Sequence, residues 1–116
     1  MFEYPVKEVT KVVDGDTLDV VVDLGFYVSI KQRIRLKGID APETLFTDAD
    51  ERKLGLEATV FLKEWLEENP RLRMRTYKDD KYGRILGELI SVTSGECINE
   101  QMVKQGHAKP YDGGAR

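Results

Sequence analysis

The stretch VKEVTKVVDGDTLDVVVDL, from Val6 to Leu24, decides the fold. Val6–Val13 and Thr17–Leu24 are rich in β-branched residues, and Asp14-Gly15-Asp16 between them is made of the two residue types that favour turns. The pattern predicts two strands joined tightly. In the second strand Leu18, Val20 and Val22 share one face, and Asp16 has the same parity at its start. If that face looks inward, Asp16 is carried to the mouth of the sheet.

A third strand is expected from Tyr27 to about Lys37. The polar segment from Gly38 to Lys53 reads as a long loop, which in a compact domain more often serves function than connection. A helix is expected from Leu54 to Glu68, because Leu54, Ala58, Phe61, Leu62, Trp65 and Leu66 recur at helical period. That spacing assigns Phe61 and Trp65 to the core rather than to base stacking. Asn69-Pro70 stops the helix. Strands are expected from Leu72 to Tyr77 and from Ile85 to Val92, then a short helix from Ile98 to Gln105 ended by Gly106. The remainder, His107 to Arg116, contains Pro110, Gly113 and Gly114 and is expected to be a loosely ordered tail. Three strands, a helix, two strands and a helix fit a mainly β (α+β) domain, a five-stranded Greek-key barrel of the OB type with two helices, spanning 1–116.

Composition narrows the chemistry. At 116 residues, 41% hydrophobic and 34% charged, the chain reads as one globular domain. No apolar run approaches the roughly 20 residues of a membrane helix, so no membrane partner is expected. The start, Met1 to Pro5, has neither a basic nor an apolar signal region, which makes a cytoplasmic location the default expectation and a secreted mature form the alternative. Cys97 is the only cysteine and His107 the only histidine, which excludes disulfides, thiolate zinc clusters and histidine-rich metal sites. Cys97 reads as a small buried hydrophobe. The net charge of −3 does not announce a nucleic-acid binder, but Lys31, Arg33, Arg35 and Lys37 alternate along one strand face, as do Arg71, Arg73 and Arg75. The acids gather elsewhere, so a locally positive groove is expected.

Three segments then combine. Asp14-Gly15-Asp16-Thr17, Arg35 with Asp40-Ala41-Pro42-Glu43-Thr44, and Asp80-Lys81-Tyr82-Gly83-Arg84 each place acids or arginines at a strand end or turn. Asp16 and Asp40 are the best cation ligands, and with no soft ligand at hand the metal should be hard, with calcium suiting so open a site better than zinc. Pro42 fixes the chain between Asp40 and Glu43, so that one acid can sit at a metal and the other near a bound water. Arg35 and Arg84 can grip one phosphate from two sides and meet the charge that builds during phosphodiester hydrolysis. Each segment alone also has a structural reading, as a turn, a loop acid or a surface ion pair.

Together with Arg33 to Thr44, Asn99-Glu100 and Val103 to Lys109, these segments resemble the staphylococcal nuclease (thermonuclease) family over nearly the whole chain. The resemblance implies an OB-type barrel and calcium-dependent cleavage of DNA and RNA substrates that leaves 3′-phosphate ends. It makes Asp16, Asp40 and the carbonyl of Ala41 calcium ligands, and Glu43 the acid that positions or deprotonates the attacking water. Arg35 and Arg84 become the phosphate-gripping pair, and Lys81, Tyr82 and Tyr111 the contacts to nucleotide phosphate and base. Ala41 stands where the best-known member carries threonine, which keeps a backbone ligand but not a hydroxyl. The chain reads as lacking the family's C-terminal helix, which leads us to expect either weak homo-oligomer formation or a partial lid made by Tyr111 to Arg116. The alternative function is a non-catalytic OB-fold module that binds nucleic acid or protein. Such a binder has no need of Asp16, Asp40 and Glu43 beside Arg35 and Arg84, and the presence of all five favours the enzyme.

Overall fold

In a computed structural model the described residues are 2–42, 48–77 and 84–111. The strands β1 (Phe2–Asp14), β2 (Thr17–Gly25) and β3 (Val28–Leu36) are followed by the two-residue β4 (Ile39–Asp40) and the helix α1 (Ala49–Glu68). Then come β5 (Leu72–Thr76), β6 (Ile85–Ser91), α2 (Ile98–Lys104) and the two-residue β7 (Lys109–Pro110). A closed barrel runs in the order β1-β2-β3-β6-β5, while β4 and β7 pair separately. All barrel pairings are antiparallel except β3 with β6. This is the OB-type α+β architecture expected from the element order.

Closure depends on β1 serving two neighbours. Phe2–Val6 pairs with β5 and Val6–Asp14 with β2, and the register slips between Val6 and Glu8, Val9 and Lys11, and Val12 and Asp14. Each slip leaves a residue out of the ladder and bends the strand, so one strand can wrap around the barrel. The interior is filled by Leu18, Val20, Val22, Ile34, Leu36, Met74 and Leu89, all essentially inaccessible to water. Leu18, Val20 and Val22 are the expected inward face, and Asp16 is buried in line with them.

The helix α1 begins earlier than the apolar period suggests. Asp48 caps it by accepting a hydrogen bond from the Glu51 N–H at 2.8 Å, so an Asp-x-x-Glu start at Asp48 sets the boundary. Leu54 is itself exposed, and Gly55, Ala58, Thr59, Leu62 and Trp65 form the buried stripe. At the other end the Asn69 side chain donates to the Trp65 carbonyl at 2.9 Å, directly before Pro70. The expected tail is ordered at its start. Lys109 and Pro110 pair with Asp40 and Ile39, and the Tyr111 N–H donates to the Gly38 carbonyl at 2.8 Å. Turn-forming composition suggested a loose segment, but a partner strand 70 positions earlier in the chain holds it. The rest of the expected lid, 112–116, lies outside the described residues, as do residues 43–47 of the long loop. Among the described residues no helix is long and apolar enough to cross a membrane.

Candidate active site

The turn between β1 and β2 places the first acids. Asp14 faces Thr17 across the ladder, and the Asp14 Oδ1 accepts from the Asp16 N–H at 3.1 Å, an Asx turn made by the chain's own side chain. Gly15 is needed for close approach: a Cβ there would lie 2.9 Å from the Cβ atoms of both Ala41 and Ala58. Both atoms are fixed to backbone, so neither can swing aside. Four segments therefore meet at Gly15: the turn, the chain after β4, α1, and α2 through Met102.

Asp16 is held from several sides. Its Oδ1 accepts from the Thr17 hydroxyl and its Oδ2 from the Ala41 N–H, each at 2.9 Å. Thus Asp16 and the residue after Asp40 are joined directly, although 25 positions separate them. Arg35, at the end of β3, lies between the two acids. Its Nη1 is 3.4 Å from Asp16 Oδ2 and its Nη2 is 3.6 Å from Asp40 Oδ1. The Arg35 side chain is only 11% exposed and Nη1 also donates to the Leu36 carbonyl at 3.1 Å. Tyr111 covers the guanidinium, whose carbon lies 5.8 Å from the ring centroid. The loosely expected tail thus supplies an aromatic wall at the site, held there by the β4–β7 pairing.

Asp14 completes the cluster and was not singled out from the sequence. Burial, together with the hydrogen bond and charge of Asp16, pushes its carboxyl up to about 7. The signal that could have revealed it is a pair of acids flanking a glycine at the start of a strand. Asn99 was expected only by resemblance, and its role is now visible. Its Nδ2 donates to the carbonyls of Lys37 and Gly87, at 2.8 and 3.0 Å, and its Oδ1 accepts from the Leu89 N–H. A buried amide on α2 therefore locks the end of β3, which carries Arg35, to β6.

The expected positive stripes are largely spent on neighbours. Arg33 forms two hydrogen bonds with Asp19, at 2.8 and 3.1 Å, while Arg73 and Arg75 both reach Glu3. The solvated ion-pair reading holds for these three. Arg84 stands directly before β6, on the strand adjoining Arg35, since Leu86 pairs with Arg35. The expected site residues Glu43, Lys81 and Tyr82 lie outside the described residues. Cys97 is half-buried at the start of α2, with its thiol pushed up by burial, as an inert packing residue would be.

What the geometry can do follows from its charges. Two carboxylates converge on one cationic group, so the same point suits a hard cation with oxygen ligands. Among the described residues no group of three or more His, Cys, Asp or Glu side chains gathers to hold a metal.

A part-buried pair of acids on a small OB-type barrel, with an arginine fork between its members, defines a recognisable class of site. Residues 33–114 match the family model described as staphylococcal nuclease homologue. The chain is 33% identical over 103 residues to a thermonuclease of Staphylococcus hyicus, covering 88% of this chain and 57% of that protein. It is 36% identical over 102 residues to an uncharacterized protein of Bacillus anthracis, covering 86% of this chain and 44% of the relative. A probable staphylococcal-like nuclease of rice is 38% identical over 81 residues, 70% of this chain and 22% of its own length. The chain belongs to the staphylococcal nuclease family. It spans about half the length of the first two relatives.

Proposed function

We propose that this protein is a calcium-dependent nuclease that hydrolyses phosphodiester bonds in DNA and RNA and leaves 3′-phosphate ends. The observation that carries the reading is the position of Arg35 between Asp16 and Asp40. An arginine fork for a phosphate and two carboxylates for a cation share one small, part-buried site, as metal-assisted phosphodiester cleavage needs. The thermonuclease relative supports the same reading.

Asp16, Asp40 and the Ala41 carbonyl would hold the calcium, which when bound offsets phosphate charge as a Lewis acid. Arg35 and Arg84 bind the non-bridging oxygens and stabilise the charge that develops on them as the water oxygen bonds to phosphorus and the bond to the 5′ oxygen breaks. Glu43 positions the water or takes its proton. Lys81, Tyr82 and Tyr111 contact the nucleotide, Tyr111 from its place against Arg35.

The test is direct. Single-stranded DNA incubated with the purified protein should be cut in calcium, poorly in magnesium, and not at all with excess chelator. Full activity in chelator, or a clear preference for zinc, would remove calcium from the reading. Glu43→Gln should bind nucleotide and calcium but lose most cleavage. Tight strand binding without any cleavage by the unaltered protein would instead identify a binding module.

A further inference from the structure

One cation beside the site is held differently from Arg33, Arg73 and Arg75. The Lys37 ammonium lies 4.3 Å from the centroid of the Tyr77 ring. Arg33, Arg73 and Arg75 sit against carboxylates, which cancel their charge at short range. An aromatic face orients an ammonium without neutralising it. Lys37 is exposed, so its ammonium is presented to solvent from the ring.

Tyr77 is in turn fixed. Its hydroxyl donates to the Glu88 carboxylate, which raises the phenol above its ordinary range and keeps it protonated. Its N–H donates to the Leu86 carbonyl at 2.9 Å. Leu86 pairs with Arg35 on β3, so Arg35, Leu86 and Tyr77 form one row across three neighbouring segments. Residues 73, 75 and 77 alternate with the buried Leu72 and Met74, as Arg35 and Lys37 alternate with Ile34 and Leu36, so this row is on the outer surface. Two strand spacings, about 10 Å, separate Tyr77 from β3. A separation on that scale is the size of a nucleotide step rather than of a single phosphate group.

We propose that Lys37, seated on Tyr77, is a second phosphate-docking site that takes a flanking phosphate of the strand whose reacting phosphate lies at Arg35. The inference rests on the nuclease reading for the position of the reacting phosphate. It adds a preference for substrates longer than a single phosphodiester. Along the outer surface of β3, β6 and β5 the strand would run from Arg35 past Leu86 towards Tyr77.

The test measures binding in chelator, where no cleavage is expected, with a fluorescent single-stranded octanucleotide over a range of salt concentrations. Each lost cation–phosphate contact lowers the log–log salt slope by about 0.7 for a single strand. Lys37→Ala should lower the slope by about that much and weaken octanucleotide binding several-fold at low salt. It should leave unchanged the binding of a dinucleoside monophosphate, which has no flanking phosphate. Tyr77→Leu, which removes the ring, should approach Lys37→Ala, and Tyr77→Phe, which keeps the ring but not its bond to Glu88, should lose less than Tyr77→Leu. An unchanged slope in folded Lys37→Ala, with the parent binding the octanucleotide, overturns this proposal and leaves the nuclease reading standing. Equal losses on the octanucleotide and the dinucleoside also overturn it. If the parent binds neither ligand in chelator, this proposal falls, and cleavage in calcium still decides the nuclease reading.

Discussion

The strands β2 and β3 form one ribbon with two contrasting ends. At one end Thr17 pairs with Arg35, and acids and an arginine are packed out of water, with Asp16 and Arg35 side chains 10% and 11% exposed. At the other end Gly25 pairs with Val28, and the two residues between them, Phe26 and Tyr27, stand fully in solvent. Both have positive φ, 55° and 63°, where a two-residue hairpin turn favours Asn-Gly. One end buries charge and satisfies it. The other holds two aromatic residues in a left-handed conformation with nothing packed on them among the described residues. The lesson is that long-range hydrogen bonding is concentrated at one pole of the barrel. Long-range hydrogen bonds from Asp16, Ala41 and Asn99 cluster there, while the tip is held only by local ones such as Gly25 N–H to Asp23 at 2.8 Å.

The largest expected effect tests the packed end. Arg35→Lys and Arg84→Lys each keep the charge but lose the planar fork, and turnover should fall by about 10²–10³. Steady-state kinetics on single-stranded DNA checks this, with circular dichroism to confirm the fold. Near-normal turnover would make these arginines structural.

Gly15→Ala should come next. Its Cβ meets two other Cβ atoms at 2.9 Å, and overpacking of this kind costs about 1–3 kcal/mol. Urea denaturation should show that loss, together with weakened calcium binding as Asp16 is pushed from Ala41. A variant as stable as the parent would mean that the four segments meeting at Gly15 give way easily.

The tip should respond in the opposite direction. Replacing Phe26-Tyr27 with Asn-Gly relieves left-handed strain of roughly 1–2 kcal/mol per residue. Stability should rise by about 1 kcal/mol with turnover unchanged. A loss of stability would reveal packing at the tip, and a loss of turnover would tie the two ends together.

The smallest effect concerns Asp14. Its folded-state value, about 7, lies above the ordinary 3.8, so the folded protein binds the extra proton between those values. Stability conferred by this group is therefore present below about pH 4 and lost as pH rises towards 7. Asp14→Asn keeps the Oδ1 that accepts from Asp16 and cannot ionise. Without calcium, its stability should decline less between pH 5 and 8 than that of the parent. Parallel pH curves for the two proteins would place the Asp14 charge in water.

Thermal unfolding across protein concentration addresses the expected self-association, because a dimer's midpoint rises with concentration and a monomer's does not.

By itself the sequence determined the elements and their faces. The alternation of Leu18, Val20 and Val22 fixed which side of β2 is the interior and carried Asp16 with it, because the side-chain period of a strand is two. The helical spacing of Ala58, Leu62 and Trp65 did the same for α1, and Gly106, with φ 78°, ends α2 where its freedom is needed. Segments such as Asp40-Ala41-Pro42-Glu43-Thr44 made the family legible. Short-range patterns failed where a partner lies far along the chain. Leu54 fits the apolar period but lies exposed, and Lys109-Pro110 becomes a strand only because β4 is beside it. Only the tertiary structure decided that Arg33 is taken by Asp19 while Arg35 lies between Asp16 and Asp40, and that Lys37 rests on Tyr77. Periodicity tells which way a side chain points, whereas the charge it meets depends on which strands the barrel brings together.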